Sequence, residues 1–301
     1  MKSTPSGDGA GALGIDVGGT SVKLAAVRGD GVLWTARSTP YQRPNREQLA
    51  DAIREAAAGR ALDFGRVGVC VPGLLDDDRR TVRQSVNLPA LDGLPLDDLV
   101  AAALGRPPQS LAILSDANAT GIDLYASRRL IGRLFVLAIG AGVGAAVIDD
   151  ATPLSVDGDS PGHFGQMDVS VEGEPVVGPD GGAGGLEGYL SAGALAARYG
   201  AAEGAWVATI KPSDPPMRAL VKAVRIAHAI YRPHHVCLTG GIGNRLAHLL
   251  PGLRRAVENE LTRIARPDWT FTAGDSDFHA AQGAARAAML PLPCTQGRGR
   301  G

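Results

Sequence analysis

Residues 13–27 read LGIDVGGTSVKLAAV, and they decide the fold of this chain. Two apolar runs flank Gly18 and Gly19, so the pattern predicts a β-hairpin whose returning strand alternates apolar side chains on its outward face. Bare glycine backbone at the tip can approach a phosphate closely, Asp16 can hold a hydrated Mg²⁺ ion, and Thr20 can donate to a phosphate oxygen. An ordinary Gly-Gly hairpin preceded by a chance aspartate explains the tip equally well.

A second hairpin with a glycine tip is predicted further along the chain. Residues 134–139 and 145–148 are apolar and strand-like, and they flank the glycine-rich turn 140–144. Because a strand and not a helix follows these glycines, we set aside a P-loop or a dinucleotide-binding fingerprint. Two hairpins of one kind, each opening a β-rich segment that helices follow, predict two similarly folded halves with a ligand between the hairpin tips.

The segments around the hairpins predict an alternating order of strands and helices. Asn45 and Gln48 have the spacing of a capping box, and apolar residues at helical intervals predict a helix over residues 45–58. Further strands are predicted at residues 32–36, 65–71, 111–114 and 236–239, and further helices at residues 94–104, 278–290 and from Ala119 onward. This order places the chain in the α/β class.

Three polar side chains outside the hairpins are candidates for substrate chemistry. Asp116 joins a predicted strand to a helix, where α/β proteins place catalytic groups, although an N-cap role explains it as well. Asn87 can offer its amide to a hydroxylated ligand or can cap a turn. Glu187 can point into a cleft or can interact with a helix dipole. A third glycine turn, residues 240–244, opens a helix and suits contact with a nucleoside and its phosphates.

Composition limits the partners of the chain. The 301 residues are 45% hydrophobic, which allows a substantial core, and the net charge of -1 provides no basic field for nucleic acid or an anionic membrane. The three cysteines lack metal-type spacing, which is typical of reduced cytoplasmic thiols. We find no signal peptide or membrane-spanning run, so we expect a cytoplasmic protein. Residues 1–11 and 291–301 are predicted to be terminal tails.

Taken in order, these motifs resemble the ROK family of repressors and sugar kinases, in the actin-like ATPase superfamily. The resemblance extends over residues 11–290, and an ordered series of motifs is far more specific than any single one. No repressor is expected, because the segment before the first hairpin is too short for a helix-turn-helix domain. The matching motifs are Asp16-x-Gly18-Gly19-Thr20, Pro72-Gly73, Asn87-Leu88-Pro89, Asp116-Ala117-Asn118, Gly140-x-Gly142-x-Gly144, Gly162-x-x-Gly165, Glu187 and Thr239-Gly240-Gly241.

The resemblance implies an α/β fold of two RNase H-like lobes, of the actin and hexokinase type, with a ligand cleft between them. A small N-terminal lobe would comprise residues 11–117, and a larger C-terminal lobe residues 118–278. The helix at residues 279–290 would pack back on the first lobe. In such an enzyme ATP and Mg²⁺ occupy the cleft, and a sugar hydroxyl is phosphorylated.

The same resemblance implies roles for individual residues. Asp116 would be the catalytic base, and Asp16 would hold Mg²⁺ through water. ATP and its phosphates would be held by Asp16, Gly18, Gly19, Thr20, Lys23, Gly140, Ala141, Gly142, Gly240 and Gly241. The acceptor would be held by Gly73, Asn87, Ser115, Asp116, His163, Gln166 and Glu187.

The chain departs from the family pattern at a structural metal site. Many ROK proteins bind zinc through one histidine and three cysteines. This chain has Gln166, Gly178, Asp180 and Gly185 at those positions. Asp180 alone cannot supply a tetrahedral zinc site, so we expect no zinc.

The acceptor pocket departs from the pattern as well. Ser115, His163 and Gln166 stand where the glucose enzymes of the family have asparagine, glutamate and histidine. Polar groups left unpaired in a closed site cost binding energy, so we expect a rebuilt acceptor pocket beside an intact phosphoryl-transfer end. Ala141 replaces a common threonine in the second turn, which weakens a contact with the γ-phosphate unless backbone N–H groups replace it.

These observations predict an ATP-dependent kinase for a primary hydroxyl, of the 6-OH type, of a hexose-like acceptor. The altered pocket favours an aminosugar such as kanosamine, or a cyclitol, over plain glucose. The alternatives are a glucokinase, a non-catalytic sugar or nucleotide sensor, and a kinase that takes phosphate from polyphosphate. We expect a small-molecule substrate, no nucleic-acid or membrane partner, and the homodimer that is common among such kinases.

Overall fold

The computed structural model describes residues 11–60, 64–156, 160–200 and 205–290. The predicted tails, apart from Gly11, lie outside the described residues. The strands are β1 (Ala12–Val17), β2 (Val22–Arg28), β3 (Gly31–Arg37), β4 (Arg66–Val71), β5 (Leu74–Leu75), β6 (Val82–Gln84), β7 (Ser110–Ser115), β8 (Arg133–Ile139), β9 (Val143–Asp149), β10 (Thr152–Pro153), β11 (His235–Thr239) and β12 (Thr270–Ala273). The α-helices are α1 (Arg46–Ala56), α2 (Leu96–Leu104), α3 (Asp116–Ser127), α4 (Leu186–Leu190), α5 (Ala192–Tyr199), α6 (Pro215–Tyr231), α7 (Gly240–Gly243), α8 (Leu250–Glu260) and α9 (His279–Met289).

Two five-stranded sheets repeat one topology. The first sheet has the order β3-β2-β1-β4-β7, and the second has the order β10-β9-β8-β11-β12. In each sheet the opening hairpin is antiparallel, and the two strands beyond it run parallel to the first strand of that hairpin. The repetition confirms the predicted α/β class and the two similarly folded halves.

The first hairpin forms as predicted, but its returning strand is buried on both faces. Leu24 packs in the same cluster as Leu49 of α1. Val27, which points to the opposite face because its position differs by an odd number of residues, packs with Ala285 of α9. The prediction of an outward face on β2 was therefore wrong, since helices cover both sides of the first sheet.

Helix starts depend on local capping. The predicted capping box of α1 is present, with the Asn45 and Gln48 side chains each accepting from the backbone of the other. Helix α3 begins at Asp116, three residues before its predicted start, because the Ser115 side chain accepts from the backbone N–H of Asn118. Ser115 is thus the N-cap, and Asp116 is the first helical residue.

Two helices that touch each other lie between the sheets. Helix α9 packs on the first sheet at backbone distance, because a Cβ built on Gly14 would lie 1.8 Å from the carbonyl oxygen of Ala281. Helix α3 packs on the second sheet, where a Cβ built on Gly121 would lie 2.9 Å from Ile148 Cγ1 of β9. The lobe boundaries at residues 117 and 278 stay a prediction.

Each half has its own hydrophobic core. The first core forms between the first sheet and α1 and α2. The second is rich in aromatic side chains, among them Phe135, Phe164, Tyr231 and Trp269. None of the helices in the described part of the chain combines the length and the apolar character needed to span a bilayer.

Candidate active site

A cavity of ≈ 580 Å³ opens between the tips of the two hairpins. This volume is in the usual range for a small-molecule site. The first half contributes the predicted residues Gly18, Gly19, Gly73, Asn87, Ser115 and Asp116 to its wall. The second half contributes the predicted residues Gly140, Ala141, Gly142, His163, Gln166, Glu187 and Gly240. The structure therefore brings both glycine turns and the predicted acceptor residues to one cavity.

Four residues predicted to bind ATP do not reach the cavity wall, namely Asp16, Thr20, Lys23 and Gly241. Asp16 is buried, with one carboxylate oxygen 3.2 Å from Lys23 Nζ and the other 3.8 Å from Cys70 Sγ. Both partners lie opposite Asp16 on the neighbouring strands β2 and β4. The contact that Asp16 makes is thus an ion pair inside the sheet.

Both glycine turns use one of their backbone donors internally. The N–H of Gly18 donates to the carbonyl oxygen of Ser21 at 3.2 Å, and the N–H of Gly140 donates to that of Gly142 at 2.9 Å. The hydroxyl of Tyr41 donates to the carbonyl oxygen of Gly18 at 2.5 Å, and this hydrogen bond stabilises the backbone of the first turn. Phosphate oxygens would therefore have to be met by other N–H groups of these turns.

Asp116 stands where β7 ends, beside the end of β4. Ser115 pairs with Val71 in the parallel register of these strands, which places Asp116 next to the loop that contains Gly73. One Asp116 carboxylate oxygen accepts from the backbone N–H of Ala117 at 2.8 Å. Gly73 has φ +111°, and a Cβ built on it would lie 2.4 Å from the carbonyl oxygen of Gln84, so only glycine fits there.

The Glu187 carboxylate lies against two glycines of the second half. A Cβ built on Gly142 would lie 2.4 Å from Glu187 Oε1, and one built on Gly165 would lie 3.1 Å from Oε2. The same position on Gly142 is 3.1 Å from Asn87 Nδ2, so residues of both halves approach this glycine. Burial and the charge of Asp180 raise the pKa of Glu187, and a hydrogen bond from the Val143 backbone partly opposes the shift.

His163 and Gln166 border a short 3₁₀ turn at Phe164–Gln166. Phe164 is buried, with its ring centroid 5.0 Å from that of Phe135 and 5.8 Å from that of Tyr231. The side chains of His163 and Gln166 remain exposed toward the cavity. The aromatic cluster thus anchors the turn, and its two polar residues face the ligand space.

The loop at residues 176–185, which includes three of the positions that hold zinc ligands in the family pattern, is closed by backbone hydrogen bonds. The N–H of Gly178 donates to the carbonyl oxygen of Gly182 at 2.8 Å, and that of Gly184 donates to Val176 at 2.9 Å. Within the described ranges no three His, Cys, Asp or Glu side chains are grouped so that they could hold a metal ion. The expectation that zinc does not bind stays a prediction.

The cavity wall also contains residues that the sequence did not assign to the site, among them Arg83, Ser85 and Asp180. Ser85 is 1% exposed, and its Oγ has no hydrogen-bond partner among the described residues. Arg83 and Ser85 reach the site because β6 pairs with β5 just after Gly73, and no local pattern announces that pairing. The sequence analysis noted Asp180 only as a departure from the zinc pattern. Its position seven residues before Glu187 in the sequence could have indicated that it belongs to the same site.

Two sheets of one topology that face a common cleft form the two lobes of an actin-like ATPase fold. The ROK family model matches residues 12–289, and the chain belongs to the ROK family. Together with the cleft described above, this membership identifies the protein as a ROK-type carbohydrate kinase.

Named relatives agree with membership in the ROK family. An N-acetyl-D-glucosamine kinase of Erwinia tasmaniensis is 28% identical over 301 residues, covering 90% of this chain and 97% of the relative. The structure of a ROK family glucokinase from Streptomyces griseus, solved with glucose and AMPPNP, superposes with a TM-score of 0.71 at 22% identity over 92% of this chain and 98% of that one. A ROK family transcriptional regulator homologous to the Escherichia coli MLC protein superposes with a TM-score of 0.71 at 19% identity, covering 93% of this chain and 77% of that one. The two structural matches establish the two-lobed fold.

Proposed function

We propose that this protein transfers the γ-phosphoryl group of ATP to a primary hydroxyl, of the 6-OH type, of a hexose-like acceptor. The observation that carries the proposal is that Asp116, Glu187 and both glycine turns line one cavity. Phosphoryl transfer requires alignment of an alcohol with the γ-phosphate more than covalent work by the protein. A cavity lined by two glycine turns and two carboxylates meets that requirement.

The glycine turns fit a nucleoside triphosphate. Cβ atoms built on Gly140 and Gly241 meet nothing within 4 Å, so the backbone there is open to a ligand. Since the N–H groups of Gly18 and Gly140 close their own turns, we assign phosphate contacts to the N–H groups of Gly19, Ala141 and Gly142. Gly240 and Gly241 would lie against the adenosine.

The residues around Asp16 fit a magnesium ion only in part. Its carboxylate is a suitable ligand for hydrated Mg²⁺, but the ion pair with Lys23 would have to open first. Thr20 and Lys23 would then be available to phosphate oxygens. When bound, Mg²⁺ neutralises charge on the phosphoryl oxygens.

Asp116 would act as the general base. Its carboxylate takes the proton from the acceptor hydroxyl as the oxygen forms a bond to the γ-phosphorus, and ADP leaves with the electron pair of the broken phosphoanhydride bond. Glu187 and Asn87 would hold the acceptor from opposite halves. Closure of the halves would exclude water, which otherwise hydrolyses ATP.

We infer that the acceptor is a modified sugar, such as the aminosugar kanosamine, or a cyclitol. Ser115 serves as the helix cap, and His163 and Gln166 replace acidic and imidazole groups, so the contacts expected of a glucose enzyme are changed. Plain glucose is the alternative, and the relative from Erwinia tasmaniensis adds N-acetyl-D-glucosamine to the acceptors to be compared.

A screen for ADP release with hexoses, aminosugars, N-acetylhexosamines and cyclitols tests the proposal. We expect at least one acceptor to give a phosphorylated product in step with ADP. A parallel reaction with polyphosphate and no nucleotide tests the other donor. Absence of product with every acceptor and both donors would count against kinase activity.

A non-catalytic sensor is the second candidate function. It is supported by Ala141 in the second turn and by the structural similarity to a ROK transcriptional regulator. Titration calorimetry with the same sugars separates the two functions. A sugar that binds and is never phosphorylated would favour the sensor.

We also propose a cytoplasmic location and a homodimer. Burial raises the pKa of the Cys70 and Cys237 thiols, so both are kept protonated and unreactive, as suits a reducing compartment. The homodimer rests on the resemblance to other sugar kinases. Sedimentation equilibrium of the full chain tests it, and a monomer at all concentrations would contradict it.

A further inference from the structure

A buried ionic cluster joins α3 to α9. Asp123 of α3 is completely buried, and its Oδ2 lies 2.7 Å from His279 Nδ1 of α9. Its Oδ1 accepts from Arg286 Nε of α9 at 2.7 Å. Arg286 also donates to the carbonyl oxygen of Asp30, which follows β2 in the first half. We call Asp123, His279 and Arg286 the helix clamp.

The clamp lies on the face of α3 that leads to the proposed base. Asp116 and Asp123 are seven residues apart, or about two helical turns, so both follow one face of the helix. Between them, the carbonyl oxygen of Ala119 would lie 1.7 Å from a Cβ built on Gly283 of α9. The two helices therefore touch at backbone distance, and the clamp fixes both the rotation and the axial position of α3.

The other face of α9 packs against two strands of the first sheet. One is β1, which leads to the glycine turn at Gly18, and the other is β4, which leads to the loop that contains Gly73. A Cβ built on Gly14 of β1 would lie 1.8 Å from the carbonyl oxygen of Ala281, and one on Gly68 of β4 would lie 1.9 Å from that of Ala284. Helix α9 therefore cannot shift along these strands without a clash. Packing contacts therefore connect α3, which begins at Asp116, through α9 to β1, which ends just before Gly18.

Charge explains why the clamp sets geometry more than stability. A buried carboxylate is costly unless every oxygen is paired, and a well-packed apolar contact would hold two helices equally well. Directional hydrogen bonds to both oxygens of Asp123 instead select one register of α3 on α9. A register error of about 1 Å at a base can cost about 100-fold in rate.

We propose that Asp123 is a positioning residue for the phosphoryl transfer. It acts through α3 to hold Asp116 in line with the glycine turn at Gly18 and Gly19. The inference rests on the proposed function, because it takes Asp116 as the base. His279 and Arg286 are the partners that make the positioning specific.

The test is the isosteric variant Asp123→Asn, assayed with the best acceptor found in the screen. The amide retains the volume and one oxygen that can accept from Arg286, but it loses the negative charge beside Arg286 and the second oxygen, which faces His279. We expect kcat to fall by about 10- to 100-fold, with KM for ATP and for the acceptor within about threefold of the wild-type values. The fraction of ADP released without phosphorylated acceptor should rise, since a misplaced base leaves ATP open to water.

Two further variants separate positioning from loss of stability. Arg133→Gln removes a partly buried cation at the start of β8 that binds Asp149 and the carbonyl oxygen of Tyr231, outside the helix clamp, and should lower the Tm without the change in kcat. Arg286→Lys keeps the buried charge and covers the case in which Asp123→Asn does not fold, and it should show the same loss of kcat at nearly constant KM. Wild-type kcat in a folded clamp variant, or an equal loss in Arg133→Gln at equal Tm, would overturn the proposal.

Asp116→Asn is measured alongside these variants. If Asp116→Asn turns over normally, the proposed base has failed. If Asp116→Asn is inactive and Asp123→Asn has wild-type kcat, only the positioning role has failed.

Discussion

At the scale of single residues, Gly142 lies where side chains of the two halves meet. Its missing Cβ leaves room for the Glu187 carboxylate on one side and for the Asn87 amide on the other. Both side chains are flexible at their ends, so an added methyl group would displace them at little cost to folding. The cost would instead fall on the acceptor that these groups are proposed to hold.

We therefore predict that Gly142→Ala lowers kcat/KM for the acceptor by about 10- to 100-fold, equivalent to about 1.4–2.7 kcal/mol of transition-state stabilisation. The Tm should change little. Steady-state kinetics and thermal unfolding measure the two quantities. Gly193→Ala is the matched control, because a Cβ built on Gly193 in α5 meets nothing within 4 Å. Unchanged kcat/KM in Gly142→Ala would contradict the arrangement.

The sequence predicted residues that share one cavity, but it did not decide their roles. The motifs named Asp116, Asn87 and Glu187, and the structure brings all three to one cavity. Spacing could not separate a base from an N-cap at Asp116, because the decision depends on whether Ser115 caps the helix first. Asp16 was named for its position in a motif, and its ion pair with Lys23 depends on a neighbouring strand.

At the scale of secondary-structure elements, α6 contains a buried histidine that is expected to destabilise the fold at acidic pH. His228 is 1% exposed, neither ring nitrogen has a partner among the described residues, and its ring lies edge-on to Trp269 at 4.6 Å. Burial lowers the pKa of His228 from 6.5 to about 4. The unfolded chain therefore binds one more proton than the folded chain between these two pH values.

We predict that the free energy of unfolding falls as the pH is lowered from 6.5 toward 4. A shift of this size corresponds to a loss of about 3 kcal/mol from this residue. His228→Leu, of similar volume and without a titrating group, should remove most of that acid sensitivity. Urea unfolding of both proteins at pH 7, 5.5 and 4.5 measures it. Parallel pH curves for the two proteins would show that His228 is not the group responsible.

The loop at residues 176–185 gives a prediction about metal. Because backbone hydrogen bonds close this loop and its side chains offer one carboxylate, we expect no stoichiometric zinc and no change in Tm with a chelator. Elemental analysis and thermal unfolding measure both. The variant that combines Gln166→His, Gly178→Cys, Asp180→Cys and Gly185→Cys is the positive control, and it should gain zinc and chelator sensitivity. Stoichiometric zinc in the unmodified protein would contradict the prediction.

The elements that the sequence predicted best are those that local rules decide. The hairpins and α1 follow from turn glycines, alternation and a capping box. The double-sided burial of β2 was missed because it depends on α9, which comes from the far end of the chain. The early start of α3 was missed because a serine cap is short-range but has no unique spacing.

At the scale of the whole molecule, the repeated sheet topology could be predicted because two similar hairpins open the two halves. The contacts between the halves could not be predicted in this way. Asp123 meets His279 and Arg286 across more than 150 residues of chain, and no periodic pattern relates these positions. Tertiary packing of α3 on α9 therefore has to be seen in the structure.

The central claim is that Asp116 accepts the proton of an acceptor hydroxyl beside ATP held in the same cleft. The most direct test is kcat of Asp116→Asn with the best acceptor, together with the Kd for ATP. The account predicts a kcat lower by about 100- to 10,000-fold with an unchanged Kd, because the amide keeps the contact with the Ala117 backbone and cannot take the proton. A kcat close to that of the unmodified protein would contradict it.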